Sequence, residues 1–419
     1  MSFLLNKKTW NWLKWVLLFV VIYKGYSNFI NNSNTFGTDL RNRITGARTL
    51  ETTNNIYTYK WENGDPEELC DPYDHPNDPM NRVTASPFAI QFHQLFSFLP
   101  YQKIRYLWFF MQYALYIVII LLIYFNIKSE EHKRISLFLG GLLSTFPFWS
   151  FHVERGQMYI LTAFILTATI IFWRKQNLNY YFISLAFLVL LRPTFCILLT
   201  IPLILGRREL ILKQIYFCLP VLVGHFFLFN DIYVNYLQSM SLMGDLQIAK
   251  LPISGREDFI NYPVIIEEMD WSSIGVFNFE NTSIQHLFLE YLNFKIAPSL
   301  LKTIFIVITL LVLIFSYVKK LTGNTLVLFL SVFIIIGEYF IPAPRYSYNF
   351  TQVIPLLILA YPLINKNFQT ILISISLLLL SGLLSFVSYD LGLGELLLLT
   401  LLITLTINYE TNKELSTDN

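Results

Sequence analysis

Residues 106–127 read YLWFFMQYALYIVIILLIYFNI, 22 positions without one charged side chain. About 20 apolar residues cross the roughly 30 Å of bilayer hydrocarbon, so this stretch predicts a membrane-spanning helix. Similar runs recur along the chain. They predict helices at 12–30, 106–127, 135–151, 158–173, 180–192, 195–206, 215–230, 300–318, 325–341, 350–364, 369–387 and 391–408. The expected fold is therefore an all-α polytopic membrane protein, a single domain over 1–419 with about 12 transmembrane helices (range 10–13). Composition agrees: hydrophobic residues make up 54% and charged residues 14% of the chain, against about 25% charged in a soluble domain. The net charge of +2 gives no electrostatic footprint for nucleic acid.

The cations in the short connections alternate in side. Lys7, Lys8 and Lys14, then Lys128, Lys133 and Arg134, Arg174 and Lys175, Arg207, Arg208 and Lys213, Lys319 and Lys320, Lys366 and Lys413 all fall on one face of a twelve-span arrangement. Cytoplasmic loops carry the excess of Lys and Arg, so both termini are expected in the cytoplasm. Two long connections, 31–105 and 231–299, then lie outside. The three cysteines, Cys70, Cys196 and Cys218, have neither disulfide nor metal spacing.

The first outer loop opens with TDLRNRITGARTL. Read as a helix, Leu40, Ile44, Ala47 and Leu50 form one apolar stripe, Arg41 and Arg48 share a flank, and Asp39, Arg43 and Gly46 fall on the other side. Such a helix lies in the membrane interface. SPFAIQFHQLFSFLP predicts a second surface helix, with Pro87 near its start and Pro100 at its end. Between them, ENGDPEELCDPYDHPNDP excludes regular structure.

Ionisable groups at membrane depth are costly and mark function. Asp39 is either a helix cap or a general base. Arg41, Arg43 and Arg48 either reach for headgroups or recognise a lipid-linked phosphate. FHVERGQMY packs His152, Glu154, Arg155 and Gln157 into an unusually polar turn and is read as a site wall. Arg192, beside Pro193, and GEYFIPAPRYSYNF, with Glu338, Arg345, Tyr346 and Tyr348, end spans on the same outer side. An arginine among tyrosines suits a phosphate or a stacked sugar. No metal ligand set is present, and neither metal nor cofactor is expected.

Taken together, DLRNRITGAR after the first span, IYTYKW, DPYDHPNDP, NRVTASPF and the GQMY turn resemble the C superfamily of membrane glycosyltransferases, and within it the bacterial polyprenol-phosphate-mannose-dependent α-mannosyltransferases. The resemblance covers most of the chain in topology and is concentrated at 36–100 and 152–159. It implies inverting transfer of mannose or another hexose from a polyprenyl-phosphate donor to a glycan or glycolipid acceptor. The enzyme would sit in the bacterial inner membrane among its lipids, with the site facing the periplasm. It implies Asp39 as base, Gly156 and Gln157 as the Gly-Gln turn, and Arg345 and Tyr346 near the donor phosphate. Two other readings fit twelve spans: a transporter or flippase of a lipid-linked glycan, and an O-antigen ligase or polymerase.

Overall fold

A computed structural model describes residues 7–32, 37–52, 55–57, 59, 64–69, 83–246, 282–292, 294–341, 345–361, 367–382 and 390–417. The acid-rich stretch 70–82 and segment 247–281, the centre of the expected second outer loop, lie outside the described residues. Among the described residues the chain is helical, with no β-strand. In order the helices are α1 Lys7–Asn32, α2 Thr38–Thr49, α3 Pro87–Gln94, α4 Tyr101–Asn126, α5 Glu130–Leu143, α6 Pro147–Arg155, α7 Tyr159–Arg174 and α8 Leu178–Leu191. There follow α9 Pro193–Ile204, α10 Arg208–Leu228, α11 Asn230–Leu246, α12 Ile284–Leu292, α13 Pro298–Val318, α14 Gly323–Gly337, α15 Ser347–Ala360, α16 Asn367–Leu380 and α17 Asp390–Thr417.

Five described helices are long and apolar enough to cross a membrane: Thr9–Ile30, Tyr101–Asn126, Arg208–Leu228, Pro298–Val318 and Gly323–Phe340. A sixth is added if α6 and α7, bent by 112° at their junction, count as one broken span. Helices of other expected spans are apolar but short: α8, α9, α15 and the stretch Gln369–Leu380 of α16 each have 10–17 residues, less than the hydrocarbon thickness requires, whereas α17 runs 28 residues from Asp390 to Thr417 around the apolar stretch Gly392–Ile407. Against the expected dozen, the described residues thus contain five or six helices of full length, consistent with a helical membrane protein. Backbone breaks explain part of the difference. Arg192 is extended between α8 and α9, and α15 begins with seven residues of 3₁₀ helix, which tightens the turn and is seldom sustained.

The main core is a continuous layer of Phe, Leu, Ile and Trp from α4, α6, α7, α8, α14, α15 and α17. Over one end of it lie α2 and α3. Leu40, Ile44 and Ala47 are fully buried, as their spacing predicts. Leu40 and Ile44 pack with Ala89, Tyr101, Ile104, Trp108 and Met158. Full burial of each large aliphatic contributes about 2 kcal/mol, enough to fix a helix too short to persist alone. The expected second surface helix is present as α3. Ser86 caps it, its Oγ accepting the Ala89 N–H at 3.3 Å, and Pro87 occupies the first turn.

Candidate functional site

The site is organised by two glycines. Gly37 precedes α2 with φ +96°, and Gly156 ends α6 with φ +68°, the left-handed region where a Cβ is penalised. Gly37 donates its N–H to the Glu154 carbonyl at 2.5 Å, and Tyr101 donates its hydroxyl to the Gly37 carbonyl at 2.9 Å. The Gly156 carbonyl accepts from Trp108 Nε1 and from Arg43 Nη1, each at 2.9 Å. The first turn of α2 is thereby fastened to the α6–α7 bend, 116 residues away at Arg155.

That contact brings Asp39, Arg155 and Gln157 together. Arg155 Nε donates to Asp39 Oδ2 at 2.9 Å, and Gln157 Nε2 donates to the same oxygen. Asp39 Oδ1 accepts no hydrogen bond among the described residues, and the side chain is 21% exposed. Gln157 is itself held by Arg43, whose Nη2 donates to its Oε1 at 2.5 Å. Burial lowers the Arg43 pKa, and the charge of Asp39 opposes the shift. The cap reading of Asp39 is corrected. The N-cap of α2 is Gly37, without a side-chain cap bond, and Asp39 sits one residue into the helix, where the helix dipole favours its charge.

Tyrosines flank this group. The Arg155 guanidinium lies 5.8 Å from the Tyr346 ring and 5.9 Å from the Tyr348 ring. Tyr348 packs on Tyr159 at 5.8 Å. Arg192 lies 4.7 Å over the other side of this layer, at the Tyr159 ring, and forms an ion pair with Glu338. So six expected residues (Asp39, Arg43, Arg155, Gln157, Tyr346 and Tyr348) converge, with Arg192 one ring away.

The others do not join them. Arg48 donates to three carbonyls, Ser97 and Leu99 at 3.0 Å and Glu68 at 2.8 Å. It fastens α2 to the α3–α4 connection, and a phosphate role is corrected. Arg345 is 1% exposed and gripped by Glu395, Nη1 donating to Oε2 at 2.8 Å and Nη2 to Oε1. Its guanidinium also lies 4.0 Å over Tyr339, which corrects its expected place at a donor phosphate. His152 is buried, stacks on Trp149 at 5.2 Å and accepts the Ile160 N–H at Nε2, 3.1 Å. It shapes the bend and is no wall of the site. Glu154 contributes its carbonyl, and Arg41 is half-buried on the flank of α2.

Two residues that hold expected ones carry no such expectation from sequence: Tyr159, under Arg192, and Glu395, which grips Arg345. Glu395 carries the clearest signal, an acid inside the apolar run LGLGELLLLTLL.

Comparison of the chain with protein-family models, characterised proteins and solved structures finds no match.

Proposed function

We propose that this protein is a membrane glycosyltransferase. It moves a hexose, mannose by resemblance, from a polyprenyl-phosphate donor to a hydroxyl of a glycan or glycolipid acceptor. In this reading twelve apolar segments leave both termini in the cytoplasm and the site at the outer face of a bacterial inner membrane.

The observation that carries the proposal is the lopsided clamp on Asp39. Both donors hold Oδ2, which fixes the carboxylate and leaves Oδ1 for a substrate proton. A general base needs that reach and orientation before anything else. Oδ1 takes the proton of the acceptor hydroxyl as its oxygen attacks the anomeric carbon. The carbon–oxygen bond to phosphate breaks, and the electron pair leaves with polyprenyl phosphate. That group departs as a stable anion, so the second carboxylate a glycosidase uses as acid is unnecessary. Arg155, half-exposed at the same oxygen, supplies preorganised positive charge for the departing phosphate. A donor whose tail is a lipid explains why the chemistry is built on bilayer helices.

The test uses purified protein in lipid nanodiscs, given radiolabelled polyprenyl-phosphate-mannose and a lipid-extract acceptor. Wild type should transfer label, and Asp39→Asn should bind donor but transfer at least a hundredfold more slowly. Transfer by both removes Asp39 from the mechanism. Binding without transfer by wild type, across a panel of hexose donors and acceptors, overturns the reading in favour of transport.

A further inference from the structure

The Asp39 cluster has a chemical counterpart deeper in the protein. Glu338, its side chain 3% exposed, accepts from Arg192 Nη2 at Oε1 and from Gln352 Nε2 at Oε2, the latter at 2.6 Å. Each carboxylate is held by one arginine and one glutamine. The two are joined through rings: Arg192 over Tyr159, Tyr159 beside Tyr348, Tyr348 beneath Arg155.

The deeper cluster differs in being unsatisfied. Arg192 Nε, Gln352 Oε1 and Asn349 Oδ1 are buried with no hydrogen-bond partner among the described residues. Asn349 and Gln352 are 3% and 0% exposed and stand three residues apart on the 3₁₀ segment, so they share a face. Buried polar atoms are nearly always paired. One unpaired donor and two unpaired amide acceptors match hydroxyl groups, which both donate and accept. Tyr159 and Tyr348, whose rings pack on each other and carry Arg192 and Arg155, adjoin the cluster. The charges of Glu338 and Arg192 cancel within the cluster, so a charged sugar finds no counter-ion there.

We infer that Glu338, Arg192, Asn349 and Gln352 form a second subsite that reads the hydroxyls of a neutral hexose beside Tyr159 and Tyr348. This rests on the transferase reading and deepens it. The ring would be that of the donor, with its hydroxyls toward Glu338 and its anomeric end toward Asp39.

The experiment measures binding of short-chain polyprenyl phosphate to the full-length protein in nanodiscs. The lipid is tested bare, carrying mannose, glucose or galactose, and carrying a hexuronate. At least one neutral hexose should tighten wild-type binding tenfold or more over the bare lipid, and the hexuronate should not. Gln352→Met, which keeps side-chain length, should abolish the gain while bare-lipid binding stays within twofold. If wild type binds all these lipids equally, the subsite is wrong and the transferase reading stands. Retention of the gain by Gln352→Met, or an equal gain for hexuronate, also overturns the subsite. If wild type binds none of them, both fall.

Discussion

Gly37 and Gly156 lie back to back. A Cβ on Gly156 would stand 3.3 Å from the Gly37 Cα and 2.8 Å from the Leu40 Cβ. Gly156→Ala therefore combines a left-handed φ of +68° with a collision, and should cost upward of about 2 kcal/mol. Gly206→Ala has a similar φ of +61° and nothing within 4 Å. It should cost only the conformational strain, about 1 kcal/mol. Thermal melting of both in the same nanodiscs checks the difference. Equal losses would mean that the close approach contributes nothing.

Arg48 should prove structural. Arg48→Lys keeps the charge but cannot reach the carbonyls of Ser97, Leu99 and Glu68 together. The expected cost is about 1–3 kcal/mol, read as a lower melting temperature in the same nanodiscs. Donor affinity per folded molecule should be unchanged. A tenfold loss of that affinity would return Arg48 to the phosphate.

His93 on α3 gives the outer layer a pH dependence. Its pKa is pushed down to about 3, by burial first and by the charge of Arg43 second. The unfolded chain protonates near pH 6.5, whereas the folded chain stays neutral until far lower. Above pH 6.5 the two states bind equally few protons at this site. As pH falls below 6.5 the unfolded state gains a proton the folded state refuses, so stability drops. Between pH 7 and pH 5 this single group should remove about 2 kcal/mol. His93→Phe keeps a ring against Trp108 and should lose that part of the slope. Parallel melting curves for the two proteins would exclude His93 as the source.

The Arg345–Glu395 pair should show the asymmetry of buried ions. Glu395→Leu strands a guanidinium and should cost about 3–5 kcal/mol, while Arg345→Met with Glu395→Leu should recover most of it. Melting temperatures of the single and double variants decide. A double variant as unstable as the single would mean that the pair's geometry, and not its charge balance, holds α17 in place.

Much of this arrangement is visible in the sequence where a local rule applies. The stripe Leu40, Ile44 and Ala47, the Ser86–Pro87 helix start and the long span near 106–127 all follow from period, capping and hydropathy. Asp39 and Gln157 were nominated by residue type, but their contact spans 118 positions, and no local pattern encodes it. Arg48 and Arg345 were misread for one reason. A sequence displays a charge without its partner, and carbonyl partners such as those of Arg48 leave no mark at all. Glu395 did leave one, since an acid in an apolar run requires a counter-charge. Of the dozen expected spans, five or six appear as full-length helices among the described residues, since hydropathy does not register backbone breaks such as the extended Arg192 and the 3₁₀ start of α15.

The grip of Glu395 on Arg345 also sets an order in time. The arginine is synthesised 50 residues before its carboxylate. At ribosomal speed it waits roughly 3–10 s for a counter-charge. During that interval the segment bearing Tyr346 and Tyr348 can rest on Tyr159 and Arg155, which are made earlier, but Arg345 still lacks Glu395, and a chain cut short before Glu395 never acquires that carboxylate. Such a fragment would expose an uncompensated cation to the insertion and quality-control machinery. The residues of the Asp39 cluster are then all made before α17 brings the carboxylate that balances Arg345.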